Sequence, residues 1–331
     1  MMMRKLIMGL LAPALLTLSQ PGMAAEKTIR IATSVPAEHY LTRSVQRFAD
    51  EVTKRTHGDI EFQVYPAQSL VTDQQMDQAV NNGTVDIGVA SASILAGTIP
   101  AFNIFAVPFF FDTPEKLEKS VTPGSPIRDL LDNEMHKKGF VAPFWIPYGS
   151  IVLATRDQPV RVPDDIKGMK IRTFGSTVSD FIESVGGSAV VTSGGEQFLA
   201  LQRGIVDGGL TGWPSVLDRR LYEVTDYVTA LNHMYETHFA LMNQQVWDGL
   251  SDGQREVFKK AGQDLEADLT REIVEETEQV KKDLAGRMTV IELDDKQRAK
   301  WQEASRSVAD NFYKNGDEAS RKVFEEAVKI Q

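Results

Sequence analysis

Two kinds of hydrophobic spacing alternate along the chain. After an alternating run at 28–33, one face of a predicted helix carries Leu41, Val45, Phe48, Ala49 and Val52. Strands are predicted at 60–65 and 85–90, with a second helix between them beyond the turn at 66–69. A further strand–helix–strand unit is predicted at 169–191, where a glycine pair at 186–187 ends the helix. These repeats predict an α/β fold built from βαβ units.

The longest periodic stretch lies at 251–287. Ser251 and Gln254 form the capping-box pattern that begins a helix, and apolar residues follow at near-helical spacing with Glu and Lys between them. At about 1.5 Å per residue this helix is expected to be about 50 Å long, which exceeds one globular lobe. A coiled-coil dimer is the general explanation of such a helix, although the interruption of the pattern at Thr277 departs from a strict heptad.

Two further strands are predicted at 140–146 and 150–155, joined by a turn at 147–149. With 331 residues, of which 42% are hydrophobic, the chain is long enough for two such lobes, each with its own core. The middle of the chain is therefore the expected place for a crossing from one lobe to the other.

The amino terminus resembles an export signal more than a structural element. Arg4 and Lys5 precede an apolar run at 6–18, and small residues at 22–25 supply a cleavage site near Ala24 and Ala25. The apolar run is too short to span a bilayer, and no later run is longer. We therefore expect a soluble protein, exported to a periplasm, without direct insertion into the membrane.

Composition excludes several classes of function. The formal net charge of −10 argues against nucleic acid or an anionic membrane surface as a partner. There is no cysteine, which excludes disulfides, thiolate metal sites and cysteine nucleophiles. Nucleophile elbows, dinucleotide turns and Walker loops are also missing from the sequence. We therefore predict that the protein is not an enzyme and holds no cofactor.

The run at 233–238, in which His233 and His238 flank a tyrosine and a glutamate, has the residue types of a metal site. Zinc hydrolases place two histidines four positions apart on one helix face. These histidines are five positions apart and run into a predicted strand, so we predict no metal site here.

The stretch at 165–217 carries the first candidate for ligand binding. Its first strand ends on Arg172, and open α/β sheets present ligand-binding groups at the carboxyl ends of their strands. A guanidinium at that position is suited to hold an anion. The plainer interpretation is a surface ion pair, which is common and weak.

Two runs in this stretch resemble the substrate-binding proteins of TRAP transporters. Residues 167–172 match the pattern Lys-Gly-hydrophobic-Lys-Ile-Arg, and residues 196–208 match Glu-x-aromatic-x-Ala-Leu-Gln-x-Gly-x-Val-Asp-Gly. Weaker matches at 83–90 and 107–111 extend the resemblance over about 27–331. In that family the arginine that Arg172 matches pairs with the substrate carboxylate.

The resemblance implies a two-lobe periplasmic binding protein fold, class II-like, of the α/β type, with hinge strands and a long helix spanning both lobes. Lobe I is then expected at 26–150, after a signal peptide at 1–25, with a return segment at about 239–265. Lobe II is expected at 151–238 with a carboxyl-terminal segment at about 285–331. The helix at 251–287 becomes the common spine.

Seven other residues are expected to line the cleft with Arg172: Trp213, Phe174, Thr211, His39, Gln68, Ser91 and Tyr235. Trp213 is placed to stack on a substrate, and Thr211 and Ser91 are placed to donate hydrogen bonds. Simpler roles stay open. Trp213 has a packing role as its alternative, Ser91 a helix cap, and His39 a solvent-facing position at a helix start.

The chain departs from the family at the expected crossing between lobes. Many relatives carry Trp-x-x-Gly-x-Arg there, and that arginine helps to hold the substrate anion, whereas this chain has Ile151 two positions after Gly149, where that arginine would stand. A clamp with one arginine suits one carboxylate better than two. We therefore expect a monocarboxylate, and a dicarboxylate stays open.

The resemblance implies a binding protein that captures an organic anion outside the cytoplasm. It would deliver that anion to a sodium-driven TRAP permease composed of a small and a large membrane subunit. A ligand-sensing partner of a membrane kinase is an alternative with the same cleft, and an exported hydrolase is a more distant one. The sequence does not separate the first two.

Overall fold

The structure is a computed structural model that describes residues 27–331, so the expected signal segment lies outside the described residues. Within the described part of the chain, no helix combines the length and the apolar character needed to cross a membrane. The strands are β1 (Lys27–Ala32), β2 (Ile60–Tyr65), β3 (Ile87–Ser91), β4 (Phe140–Val141), β5 (Trp145–Thr155), β6 (Lys170–Thr173), β7 (Ser188–Val191), β8 (Gly208–Gly212), β9 (Tyr227–Ala230), β10 (Tyr235–Asn243) and β11 (Thr289–Glu292).

The helices separate these strands in chain order. They are α1 (Tyr40–Arg55), α2 (Met76–Asn81), α3 (Ala92–Leu95), α4 (Pro114–Val121), α5 (Pro126–Lys137), α6 (Ser176–Ser184), α7 (Gln197–Gln202), α8 (Trp213–Asp218), α9 (Gln244–Asp248), α10 (Asp252–Ala285), α11 (Asp295–Asn315) and α12 (Glu318–Val328). Short 3₁₀ turns occur at Asp73–Gln75, Pro100–Ala106, Pro163–Ile166, Gly194–Glu196 and Leu221–Glu223.

One strand joins the two halves of the molecule. The sheet runs in the order β2-β1-β3-β10-β5-β8-β6-β7, with β4 beside β10 and with β9 between β5 and β11. The first part of β5, through Ser150, pairs with β10, and the part from Ile151 onward pairs with β8 and β9. We call the half that contains β1–β4 and β10 lobe I, and the half that contains β6–β9 and β11 lobe II.

β5 runs through the turn that the sequence predicted at 147–149 and joins the end of the strand predicted at 140–146 to the strand predicted at 150–155, while Phe140–Val141 forms the separate strand β4. β5 is 11 residues long and buried along its whole length. Gly149, which signals a turn, has a φ of 91° and lies opposite an irregularity in the β10 register at Glu236 and Thr237. Pairing with β10 continues past this irregularity, so the strand does not turn back and the local turn signal is overridden.

The helix α10 crosses both lobes and confirms the predicted spine. Its capping box forms as expected, because Ser251 and Gln254 each accept from the other's backbone N–H. Near lobe I the ion pairs of Arg47 with Glu272 and Arg55 with Asp264 join α1 to α10. Toward its carboxyl end, apolar side chains of α10 pack into the core of lobe II.

The carboxyl-terminal segment at 285–331, expected in lobe II, divides between the lobes. α11 packs against α6 of lobe II, whereas α12 packs against α5 and the turn at Pro100–Ala106 in lobe I. Val323 and Ala327 of α12 are buried in the aromatic core of lobe I together with Phe102 and Phe105. An apolar face on α12 therefore decides its position, and this face was not visible from the order of segments.

Candidate functional site

A cavity lies between the lobes beside β5, and we call it the interlobe cavity. Both lobes contribute to its walls. Its aliphatic lining residues are Val35, Leu41, Val89, Ile94 and Ile151. Its ionisable lining residues are Asp73, Tyr148, Arg172, Arg219, Glu236 and His238. A lining that combines apolar and ionisable side chains is suited to a small polar organic molecule.

Arg172 is held in the wall of lobe II by the backbone. Its Nε and Nη2 donate to the carbonyl oxygen of Thr192 at 3.1 and 2.9 Å, and its Nη1 donates to the carbonyl oxygen of Leu210 at 3.0 Å. Phe174 packs 5.2 Å from the guanidinium carbon, measured to the ring centroid. A guanidinium has five N–H donors, so these three bonds leave one N–H free on each terminal nitrogen.

The charge of Arg172 has no carboxylate partner within ion-pair distance among residues 27–331, although the residue is only 3% exposed. Burial, and next the neighbouring Arg219, lower the pKa of Arg172 to about 10, which still leaves it protonated at neutral pH. A buried charge is costly unless it is paired. An anion beside Arg172 would supply the missing partner.

Arg219 supplies a second positive charge, from the residue that follows α8. Its guanidinium lies against Gly194 at the rim of lobe II, where a Cβ on that glycine would occupy the same space. Asp73, from lobe I, accepts a hydrogen bond from the backbone N–H of Gly194 at 2.8 Å. This bond joins the two lobes across the cavity.

Glu236 brings a carboxyl group into the same cavity from β10. Its Oε2 accepts from the hydroxyl of Ser93 at 2.6 Å and its Oε1 accepts from the Ser93 backbone N–H at 3.2 Å. Burial raises the pKa of Glu236 to about 7, against the opposing effect of the Ser93 hydrogen bonds. The carboxyl group therefore changes its charge near neutral pH.

Tyr148 and His238 form an aromatic wall. Their ring centroids are 4.6 Å apart, and the hydroxyl of Tyr148 is hydrogen-bonded to Ser215 of lobe II at 2.6 Å. Burial and the charge of Arg219 lower the pKa of His238 to about 3, so its imidazole is neutral under ordinary conditions. Its Nδ1 is buried and has no hydrogen-bond partner among residues 27–331.

Four of the eight predicted cleft residues lie together in the wall of the interlobe cavity: Arg172, Phe174, Thr211 and Ser91. All four belong to a strand end or follow it directly. Ser91 also caps α3, because its hydroxyl accepts from the backbone N–H of Ile94 at 3.2 Å. The capping and cavity-lining interpretations of Ser91 are therefore compatible.

Trp213 does not line the interlobe cavity. Its side chain is fully buried in the core of lobe II, where it packs with Ala200 and Val206, and its ring lies 5.4 Å from the ammonium of Lys281 on α10. It begins α8, and the direction of its side chain follows the packing of that helix on α10. The alternative of a packing role is therefore the one that the structure supports.

His39, Gln68 and Tyr235 also lie outside the wall of the interlobe cavity. His39 caps α1 through Nδ1 and contacts Ser215 through Nε2 at 3.2 Å, so it lies behind Tyr148 instead of facing solvent. Gln68 reaches across to Gly195 of lobe II. Tyr235 faces a separate cavity on the other side of β5, between α4 and α10.

Sequence reasoning missed Asp73, Arg219 and Glu236. Glu236 did carry a signal, because an ionisable residue inside a run of strand-forming residues is costly to bury and is enriched at functional sites. Arg219, which follows α8, and Asp73, which begins the 3₁₀ turn before α2, had no such signal, since charged residues are common at the ends of helices. Their proximity depends on how the lobes meet.

The arrangement suits a class of protein that encloses a small organic anion between two lobes. Gly175 packs closely on Ser93 across the cavity, since a Cβ added to it would lie 2.6 Å from the Ser93 carbonyl oxygen. No group of three or more His, Asp or Glu side chains in the described residues is arranged to hold a metal ion.

The family model of bacterial extracellular solute-binding protein, family 7, known as DctP, matches residues 31–315, and the chain belongs to this family. The chain is 29% identical over 320 residues to the C4-dicarboxylate-binding periplasmic protein DctP of Rhodobacter capsulatus, covering 94% of this chain and 95% of that protein. A solute-binding protein of Albidiferax ferrireducens is 30% identical over 292 residues, covering 85% of this chain and 83% of that protein.

Solved structures of solute-binding proteins have the same fold as this chain. A TRAP periplasmic solute-binding protein of Sulfitobacter with bound β-D-galacturonate superposes with a TM-score of 0.84 at 27% identity, covering 90% of this chain and 98% of that one. One of Sulfurospirillum deleyianum with bound succinate gives a TM-score of 0.86 at 24% identity, covering 93% and 100%. These findings confirm the TRAP resemblance and the two-lobe α/β fold. The family consists of extracytoplasmic receptors for organic acids and not of enzymes.

Proposed function

We propose that this protein captures an organic acid with a single carboxylate in the interlobe cavity, with Arg172 as the anchor. The observation that carries the proposal is the buried guanidinium of Arg172, whose hydrogen bonds all go to neutral backbone carbonyls. Folding places this charge out of water without a counter-charge, and a ligand carboxylate supplies the missing partner. Bidentate pairing would use the two remaining N–H groups.

The charges around the interlobe cavity support one carboxylate over two. Arg172 and Arg219 contribute two positive charges and Asp73 contributes one negative charge. Before any charge on Glu236 is counted, the walls carry an excess of one positive charge, so a single carboxylate is the most that they can neutralise. A second carboxylate would leave an uncompensated negative charge in a partly dry cavity.

Delivery to a membrane permease is the second part of the proposal. Family membership and the lobe contacts around the cavity support it, because closing of the lobes around a ligand gives a shape that a permease can distinguish from the empty form. We infer that the mature chain, after cleavage near Ala24 and Ala25, acts in the periplasm with the small and large subunits of a sodium-driven permease. Sodium-dependent uptake into proteoliposomes that contain both subunits should require this protein.

Calorimetry tests the binding step. We expect Arg172→Ala to lose about 3–5 kcal/mol of affinity for an organic acid such as galacturonate, pyroglutamate or butyrate, the scale for removing one partner of a buried ion pair. Arg156→Ala, on the partly exposed arginine after β5, is the matched control and should bind like the parent. Affinity of the Arg172 variant within a few-fold of the parent would rule out Arg172 as the anchor.

A further inference from the structure

We propose that Glu236 selects organic acids that carry a hydrogen-bond donor, such as a hydroxyl, an ammonium or a ring N–H, away from the carboxylate. This inference rests on the proposed function, because it assumes that the carboxylate is held at Arg172. The ligand class is then a hydroxylated or nitrogen-bearing organic acid, as opposed to a plain aliphatic acid. Glu236 acts as the hydrogen-bond acceptor for that donor.

The position of Glu236 supports this role. The residue is only 1% exposed, yet its side chain lines the interlobe cavity. Among residues 27–331, no lysine, arginine or histidine lies within ion-pair distance of its carboxylate, so Arg172 and Arg219 do not neutralise it. A ligand carboxylate held at Arg172 therefore leaves a different part of the ligand to meet Glu236.

Ser93 fixes the orientation of this carboxyl group. Its hydroxyl and its backbone N–H each donate to one oxygen of Glu236. A carboxylate oxygen has two lone pairs, so each oxygen keeps acceptor capacity for the cavity. The side chain is thus held in one place by the protein while part of its hydrogen-bonding capacity is left unused.

A buried carboxylate in a site for anions has a cost. It repels a bound carboxylate and loses its hydration, unless it is protonated or a ligand donor reaches it. The other ionisable groups around the cavity are Asp73, Tyr148, Arg172, Arg219 and His238, and the neutral imidazole of His238 offers no positive charge. A ligand donor is the partner that removes this cost while the ligand stays an anion.

The same serine connects Glu236 to lobe closure. The Ser93 carbonyl oxygen faces Gly175 of lobe II, which directly follows Phe174 in the cavity wall. A ligand donor that holds Glu236 and Ser93 in place therefore also supports the surface on which lobe II rests. Binding of the donor and closing of the lobes become linked through one residue.

The experiment compares pairs of acids that differ by a single donor. Calorimetry at neutral pH would use pyroglutamate against its lactone analogue, in which oxygen replaces the ring N–H, and γ-hydroxybutyrate against its methyl ether, with galacturonate and succinate as further probes. Each acid is titrated into the intact mature protein, Glu236→Gln, Glu236→Met and Ser93→Ala. Glu61→Gln, on the exposed face of β2, is the matched control.

In the parent and in Glu61→Gln, we expect loss of the donor to weaken binding by about tenfold to a hundredfold, the range for a hydrogen bond to a charged group. The difference within a pair should shrink to a few-fold in Glu236→Gln and vanish in Glu236→Met. Ser93→Ala, which leaves the carboxyl group in place, should retain an intermediate preference.

Three results would contradict the inference. If acids bind but the parent holds donor-free analogues as tightly as their partners, Glu236 does not select for a donor, and the proposed function stands without it. If Glu236→Met keeps the full preference while retaining the parent's melting temperature, another residue accepts the hydrogen bond. If no acid binds the parent, the proposed function and this inference fail together.

Discussion

Arg128 in lobe I and Arg172 in lobe II are both buried, with 6% and 3% of their surfaces exposed. Arg128 has carboxylate partners, since its Nη2 donates to Glu266 at 2.9 Å and its Nε donates to Asp132 at 3.2 Å. It also lies 4.4 Å from the ring centroid of Trp145. Arg172 has three hydrogen bonds, and all of them go to backbone carbonyls.

The difference separates an arginine whose partners lie inside the fold from one whose charge the proposed ligand would compensate. Arg128 forms an ion pair that is complete inside the protein and joins α5 to the spine helix α10. Arg172 is equally well oriented, but its charge is left uncompensated in a cavity. Burial alone does not mark a functional arginine; burial without a counter-charge does.

The largest expected effect comes from replacing each arginine by methionine. Arg128→Met should lower the free energy of unfolding by about 3–5 kcal/mol, because Glu266 is left as a buried, unpaired carboxylate. Arg172→Met should change stability much less, since it removes a buried charge that had no partner, and it should abolish binding of the organic acid. Urea unfolding and calorimetry on both variants measure the two effects.

Equal losses of stability in the two variants would contradict the different roles of Arg128 and Arg172, as would loss of binding in the Arg128 variant alone. Either result would mean that the two guanidinium groups have the same structural role despite their different partners.

The next prediction concerns Glu236 and its effect on how protein stability depends on pH. Its unfolded carboxyl group loses its proton near pH 4.5, whereas the folded one keeps it to about pH 7, so this group destabilises the ligand-free protein as pH rises through that window. We expect the parent to lose about 3 kcal/mol more stability than Glu236→Gln between pH 4 and 8. His233 and His238, whose pKa values are lowered to about 3 by burial, act in the opposite direction and equally in both proteins.

Urea unfolding of the two ligand-free proteins across this range measures the difference. Parallel curves for parent and variant would show that Glu236 titrates at its ordinary pKa, and that its carboxyl group is hydrated in the empty protein.

Closure of the lobes over Arg172 gives a third, smaller effect. Gly175→Ala places a Cβ within 2.6 Å of the Ser93 carbonyl oxygen across the cavity, while the φ of −167° at this position suits any residue. We expect affinity for the organic acid to fall by about 1–3 kcal/mol, the range for overpacking, with little change in stability. Gly253→Ala, where an added Cβ meets no atom within 4 Å, is the control. Unchanged affinity would place the lobes farther apart in the liganded protein.

Arg219 should have the smallest effect of the charged residues around the cavity. It is partly exposed at the rim, so its attraction to a ligand anion is screened by water and salt. We expect Arg219→Gln to weaken binding by about 1 kcal/mol at low salt and less at high salt, whereas Arg220→Gln, on its exposed neighbour, should have no effect. A loss as large as that of Arg172→Met would make Arg219 a second anchor and favour a dicarboxylate.

Much of the fold could be predicted from spacing alone. The βαβ units and the spine helix follow from apolar periodicity over long stretches, and the Ser251 cap marks the start of α10 correctly. The strand β5, which joins the two lobes, could not be predicted in this way. Pro147 and Gly149 signal a turn locally, but β5 continues its pairing with β10 past them. The placement of α12 on lobe I likewise depends on which core its apolar face meets.

The site could be predicted in part. Arg172, Phe174, Thr211 and Ser91 follow from the rule that strand ends present side chains at the cleft, and all four line the interlobe cavity. Trp213 obeys the same rule in sequence but points into the core, because side-chain direction at the start of a helix depends on packing. Residues such as Arg219 reach the cavity through tertiary geometry that no local pattern contains.

The most direct test is a crystal structure of the mature protein with the organic acid that binds most tightly. The account predicts that a carboxylate oxygen of the ligand lies about 2.7–2.9 Å from a terminal nitrogen of Arg172, while the bonds to Thr192 and Leu210 persist. A ligand whose carboxylate is bound elsewhere, with Arg172 still bonded to those two carbonyls alone, would contradict it.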